Sequence, residues 1–162
     1  MKELIDKISS YNLFNVLLPG ILFVTIAEEF THYSLIQENI VVNAFIYYFI
    51  GLLISRFGSL LIEPFLKRIK FLKFADYNDF VSASRFDPKI DILSETNNMY
   101  RTFISMLILL LLLKLYEFIE SIFTILKEYN LYIFIILLLI MFLYSYKKQT
   151  EYITKRIKSN KG

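Results

Sequence analysis

The chain has 162 residues, 56% of them hydrophobic, with a mean hydropathy of +0.52 and a formal net charge of +3. A soluble domain of that length needs far less apolar surface, so a water-soluble globule is excluded and a lipid-embedded chain is expected. The absence of cysteine excludes disulfides, thiolate metal sites and a cysteine nucleophile together.

Crossing about 30 Å of hydrocarbon takes roughly 20 residues of helix, and residues 11–30, 40–62, 102–123 and 131–146 read as four such spans. The fold class expected is therefore all-α, a four-transmembrane-helix bundle. A short N-terminus (1–10) precedes a first helix pair (11–62), a helical cytoplasmic connection (63–101), a second pair (102–146) and a basic tail (147–162). No room is left for a separate catalytic domain.

The lead into the first span carries Lys2 and Lys7, as a secretory signal does, but no small-residue cleavage site follows and the apolar run reaches Glu28 and Glu29. A retained helix is expected. Pro19 and Gly20 in its middle remove a backbone donor and predict a kink. The string Glu29-Phe30-Thr31-His32 has the Glu-x-x-His spacing of di-iron bundles. His32 is the only histidine, so one chain could not complete that site and a symmetric dimer would have to. An exposed helix end is the simpler explanation, and no metal or other cofactor is expected.

In the second span Gly51, Ser55, Gly58 and Ser59 form a small-residue face that marks a close helix contact, within the chain or between chains. Arg56 lies about 10 Å from the span's end at 1.5 Å per residue. It either snorkels to the headgroups or faces a pore or a neighbouring carboxylate. Pro64 is expected to end the helix.

Beyond it, residues 65–74 interleave Lys67, Arg68, Lys70 and Lys73 with aromatic residues including Phe71 and Phe74. One reading is an interfacial helix on anionic headgroups, each cation contributing about 1 kcal/mol. The other is a binding surface for a nucleotide or single-stranded oligonucleotide, with cations for phosphates and rings for bases. Asp87-Pro88 then starts a helix. Ile90, Leu93, Asn97, Tyr100, Ile104 and Leu107 follow at alternating three- and four-residue intervals, a coiled-coil-like seam. The third helix is thus expected to extend out of the membrane as a stalk. Its seam partner is either another copy of the chain, with Asn97 setting register, or the rest of the connection.

Lys114, Glu117 and Glu120 recur every third residue near the outer end of the third span. They either neutralise one another or, with Glu28 and Glu29, border an aqueous vestibule where several chains would supply a ring of carboxylates. Loop charges orient the whole. The first connection has no Lys or Arg, the second has seven, from Lys67 to Arg101, and the tail adds Lys147, Lys148, Lys155, Arg156, Lys158 and Lys161. The positive-inside rule then places both termini in the cytoplasm. Tyr11, Tyr33, Tyr100, Tyr129, Tyr132, Tyr144 and Tyr146 fall near span ends, at the depth tyrosine prefers.

Residues Tyr11-Asn12-Leu13-Phe14-Asn15-Val16-Leu17-Leu18-Pro19-Gly20, Asp87-Pro88-Lys89-Ile90 and Asn97-Asn98-Met99-Tyr100-Arg101-Thr102 resemble those of small bacterial integral membrane effectors of anti-phage defence operons, Hailong-type channel effectors in plan. The resemblance covers the first two spans and the stalk. It implies an inner-membrane protein that stays closed until the product of a nucleotidyltransferase partner changes, then conducts ions.

Serine or histidine triads, phosphate-binding glycine loops and dinucleotide fingerprints are absent from the sequence, so no enzyme is expected. The leading expectation is a homo-oligomeric, channel-forming effector of the bacterial inner membrane, gated by a cytoplasmic nucleotide, oligonucleotide or signalling protein. The alternative is a non-conducting anchor or scaffold for a soluble partner.

Overall fold

A computed structural model describes residues 12–159, and the residues read above as a charged lead (1–10), Tyr11 and Lys161 lie outside that range. The described residues form five helices and no strand: α1 (Leu13–Phe30), α2 (Ile40–Arg68), α3 (Tyr77–Phe86), α4 (Lys89–Ile122) and α5 (Ile125–Ser159). All but α3 are long and apolar enough to cross a membrane, so this is a multi-pass membrane protein.

Both prolines within the long helices follow a π turn. Leu13–Leu17 precedes Pro19, and Gly58–Ile62 precedes Pro64. A proline ring crowds the carbonyl four residues back and supplies no N–H; widening the preceding turn accommodates both effects. Accordingly α2 does not end at Pro64, as its sequence predicts, but continues to Arg68. It ends in a Schellman arrangement, with Lys70 N–H donating to the Lys67 carbonyl at 3.0 Å and Phe71 N–H to the Leu66 carbonyl at 3.0 Å. Lys70 takes the left-handed conformation, φ 61°, where glycine is usual. Residues 71–76 that follow are not helical, which corrects the expectation of an interfacial helix over 65–74.

The stalk forms as expected. Asp87 accepts a hydrogen bond from Lys89 N–H at 3.0 Å, and α4 then runs unbroken to Ile122. α5 continues into the basic tail as far as Ser159, because Lys147–Ser159 contains neither proline nor glycine to stop a helix.

The core lies where α1, α2 and α4 meet, around buried Ala27, Ile54, Met106 and Leu110. Glycine sets how closely they approach. A Cβ on Gly20 would overlap the Tyr47 carbonyl, one on Gly51 the Val16 carbonyl, and one on Gly58 the Ser105 hydroxyl. The small-residue face of α2 thus contacts α1 through Gly51 and α4 through Gly58, both within the chain. α5 stands almost apart, with Ser145 its one buried residue among those described. α3 lies against α4 with Val81 buried, and its Tyr77 meets Tyr152 of α5 edge-on at 6.4 Å between centroids.

Candidate functional site

Polar side chains gather in two layers, one at each end of the bundle. At the end carrying loop 31–39, Glu117 and Glu120 project from α4, one turn apart, and both are buried. Glu117 accepts from His32 N–H at 2.7 Å and from Lys114 Nζ at 2.6 Å. Glu120 accepts from the Tyr33 hydroxyl at 2.9 Å and from Asn130 Nδ2, and Asn130 Oδ1 in turn accepts from the Tyr116 hydroxyl. Every oxygen of the two carboxylates is therefore engaged, and what they hold is the loop, pinned onto α4 and α5.

Glu28 performs the same task from α1, accepting from Ser34 Oγ at 2.8 Å and Leu35 N–H at 3.1 Å. From α2, Asn43 exchanges two 2.7 Å hydrogen bonds with the Gln37 backbone. These contacts satisfy loop amides that would otherwise meet hydrocarbon or headgroups without partners. Lys114 also lies over the Phe30 ring at 5.4 Å, while Glu29 is exposed beside it in sequence. An open depression of about 250 Å³ is lined by His32, Lys114, Glu117, Glu120, Ser121 and Lys127. His32 is exposed, with Nε2 3.6 Å from Glu117, and among the described residues no three His, Cys, Asp or Glu side chains converge as metal ligands.

Burial, then the hydrogen bond to Glu120 and its negative charge, push the Tyr33 phenol above its ordinary range. A raised pKa means the contribution to stability is complete below about pH 10, the unfolded phenol's pKa, and is lost as pH rises through the folded value. Alkaline absorbance titration of the purified protein will show a late tyrosine phase, and Tyr33→Phe will remove it. That substitution should also cost about 1 kcal/mol in thermal unfolding at neutral pH. An unchanged late phase in the variant would refute the assignment.

The second layer lies at the basic end, where Glu63 is the buried centre. It accepts from Lys67 Nζ at 2.8 Å and from Arg101 Nη1 of α4 at 2.5 Å. Lys148 of α5 reaches in to donate to the Ser59 carbonyl at 2.5 Å and the Ser59 hydroxyl at 2.7 Å. That carbonyl is open for a reason visible in the chain. In the π turn it would accept from residue 64, and Pro64 has no N–H.

Of the sequence-predicted ligand set the fold brings Lys67 and Phe74 together, not the set as a whole. Lys67 turns inward to Glu63 and lies 4.0 Å from the Phe74 ring, whereas Arg68, Lys70, Phe71 and Lys73 are exposed around the turn. Arg56 is exposed and Ser55 half-buried on α2. Glu63 and Asn130 are not singled out from sequence, and Tyr33, Arg101 and Lys148 are read there as a span-end ring and loop or tail cations, not as members of a site. For Glu63 one signal existed: a lone carboxylate in a basic stretch, four residues before Lys67 on a helix.

The stalk seam is uncovered. Ile90 is half-buried, Asn97 is exposed, and Leu93, Tyr100, Leu107 and Leu111 are 66%, 61%, 55% and 65% exposed. The same three-four spacing continues through Leu111, Lys114 and Phe118. At 3.6 residues per turn this line lies opposite the face through which Thr102, Met106, Leu110 and Glu117 meet the bundle.

Comparison with protein-family models, curated proteins and solved structures finds no match for the chain.

Proposed function

We propose that the chain is the subunit of a homo-oligomeric, channel-forming effector of the bacterial inner membrane, non-enzymatic, with its basic end in the cytoplasm. The observation that carries this reading is the exposed seam of α4. It keeps a coiled-coil period from the stalk into the membrane, on the face its own chain leaves uncovered. A second copy presents the matching stripe, and Asn97 supplies the polar position in the stalk that sets register and copy number. Helices ringed on this seam would place Ile104, Leu107 and Leu111 at the constriction, an apolar gate of the kind that closes by dewetting. Lys114 would lie at one mouth, and Asn97 and Tyr100 toward the other. The stalk would transmit a signal received at the basic end. The resemblance to anti-phage effectors supports a role in depolarising an infected cell.

Because the chain has no cysteine, single cysteines test the seam directly. Leu93→Cys and Leu107→Cys should form disulfide-linked dimers under mild oxidation in bilayers, and Met106→Cys on the buried face should not. Purified protein in liposomes should then pass potassium, and Asn97→Leu should change the number of copies per particle. Equal cross-linking on both faces would end the assembly reading, and silent liposomes together with undisturbed membrane potential in expressing cells would end the channel. A non-conducting anchor is the second reading, favoured by α5, whose helix carries Lys147, Lys155, Arg156 and Lys158 past the end of its apolar stretch. It predicts a stable complex with a soluble partner and no flux.

A further inference from the structure

The charge layer at the basic end holds more cations than its one carboxylate can balance. Lys67 and Arg101 bind Glu63 directly, and Lys148 lies close enough to feel Glu63, Arg101, Lys67 and Arg56. Four positive charges against one negative leave a surplus of three. The layer also has unused donors. Arg101 Nε is buried without a hydrogen-bond partner among the described residues, and Lys148 meets only the neutral oxygens of Ser59. Arg56 is exposed at its edge. Drawing cations together out of water is costly unless an anion joins them.

We infer that the junction of α2, α4 and α5 is a binding site for a phosphate group, held by Arg56, Arg101 and Lys148, with Glu63 and Lys67 fixing the cradle. Guanidinium and ammonium groups gathered at one junction match a phosphate's several acceptor oxygens. The depth is right for a phospholipid headgroup. Exposed Tyr100, Tyr144 and Tyr146 lie one turn or less along the chain from Arg101 and Lys148, and tyrosine rings sit where hydrocarbon meets headgroups. The site differs from the exposed cations of residues 68–73 and does not depend on self-assembly or conduction, since all its groups belong to one chain.

Thermal unfolding of the detergent-purified full chain tests it in two arms. One adds short-chain phosphatidylglycerol, with phosphatidylcholine as the zwitterionic comparison, and the other adds inorganic phosphate or ATP. Protection by phosphatidylglycerol alone assigns a lipid headgroup, and protection in the second arm as well assigns a soluble phosphate ligand. In either case Arg56→Gln, an exposed position that leaves folding intact, should raise the half-protecting concentration roughly tenfold, the worth of one charge-assisted hydrogen bond. Lys148→Gln should do so at least as strongly, and Lys73→Gln should not. Absence of protection in both arms overturns the site, as does protection that survives Arg56→Gln and Lys148→Gln combined.

Discussion

Gly51→Ala will lower the stability of the protein in detergent by about 3 kcal/mol, the upper end of what overpacking costs. The added methyl meets the Val16 carbonyl, a backbone atom inside a helix, and Gly20 faces the Tyr47 carbonyl on the same seam. Neither neighbour can rotate away, so α1 and α2 must separate and lose the close packing that substitutes for hydrophobic driving force between helices in lipid. The ratio of folded to unfolded protein in a chemical-denaturant or thermal titration should fall about a hundredfold at a fixed condition, on the rule that 1.4 kcal/mol is a factor of ten. Gly58→Ala provides the internal comparison. Its methyl meets the Ser105 side chain, which can be removed. Gly58→Ala should therefore be rescued by Ser105→Ala, and Gly51→Ala should not be rescued by Val16→Ala. Full stability in Gly51→Ala would show that the α1–α2 contact is looser than described.

Glu63→Leu should be comparably severe, costing about 3–5 kcal/mol, as breaking a buried ion pair from one side does. The variant would leave Lys67 and Arg101, with Lys148 at the same junction of α2, α4 and α5, without the carboxylate that pairs them. Arg101→Leu removes one cation and leaves Glu63 paired with Lys67, so it should cost less. The double variant Glu63→Leu with Arg101→Leu should recover part of the loss. Lys67→Ala, at an exposed position, should cost under about 1 kcal/mol. Thermal unfolding followed by circular dichroism gives the order. If Arg101→Leu proves costlier than Glu63→Leu, the carboxylate is not the centre of the layer.

Much of the architecture was legible in the chain. Four spans could be read because hydrocarbon demands about 20 apolar residues at a stretch, and such a demand is local. The stalk was legible for a similar reason, since Asp87-Pro88 starts a helix and no proline or glycine interrupts it before Ile122. The helix end at Pro64 was misplaced, and α5 runs on past the end of its apolar stretch at Lys147. A proline ends a helix unless a π turn makes room for it, and a run of lysines ends an apolar stretch without ending the helix that carries it.

Site residues divide along the same line. Lys114 with Glu117 is a pair three residues apart on one helix, so periodicity alone brings them together, and they are bonded. Glu120 with Tyr33, or Glu63 with Arg101, joins residues 87 and 38 positions apart. Local pattern carries no information about such a pairing.

Composition and periodicity alone settle that this chain is helical, membrane-embedded, basic at one end and extended as a stalk, because each property depends on neighbours within a few turns. Only the packed helices decide what the charges within the spans do. Glu117, Glu120 and Glu28 are spent on holding loop 31–39, and Glu63 becomes the anion that joins Lys67 of its own helix to Arg101 of α4. An intramembrane carboxylate takes its role from whichever donor the tertiary fold delivers to it, and in lipid that partner must come from the protein itself.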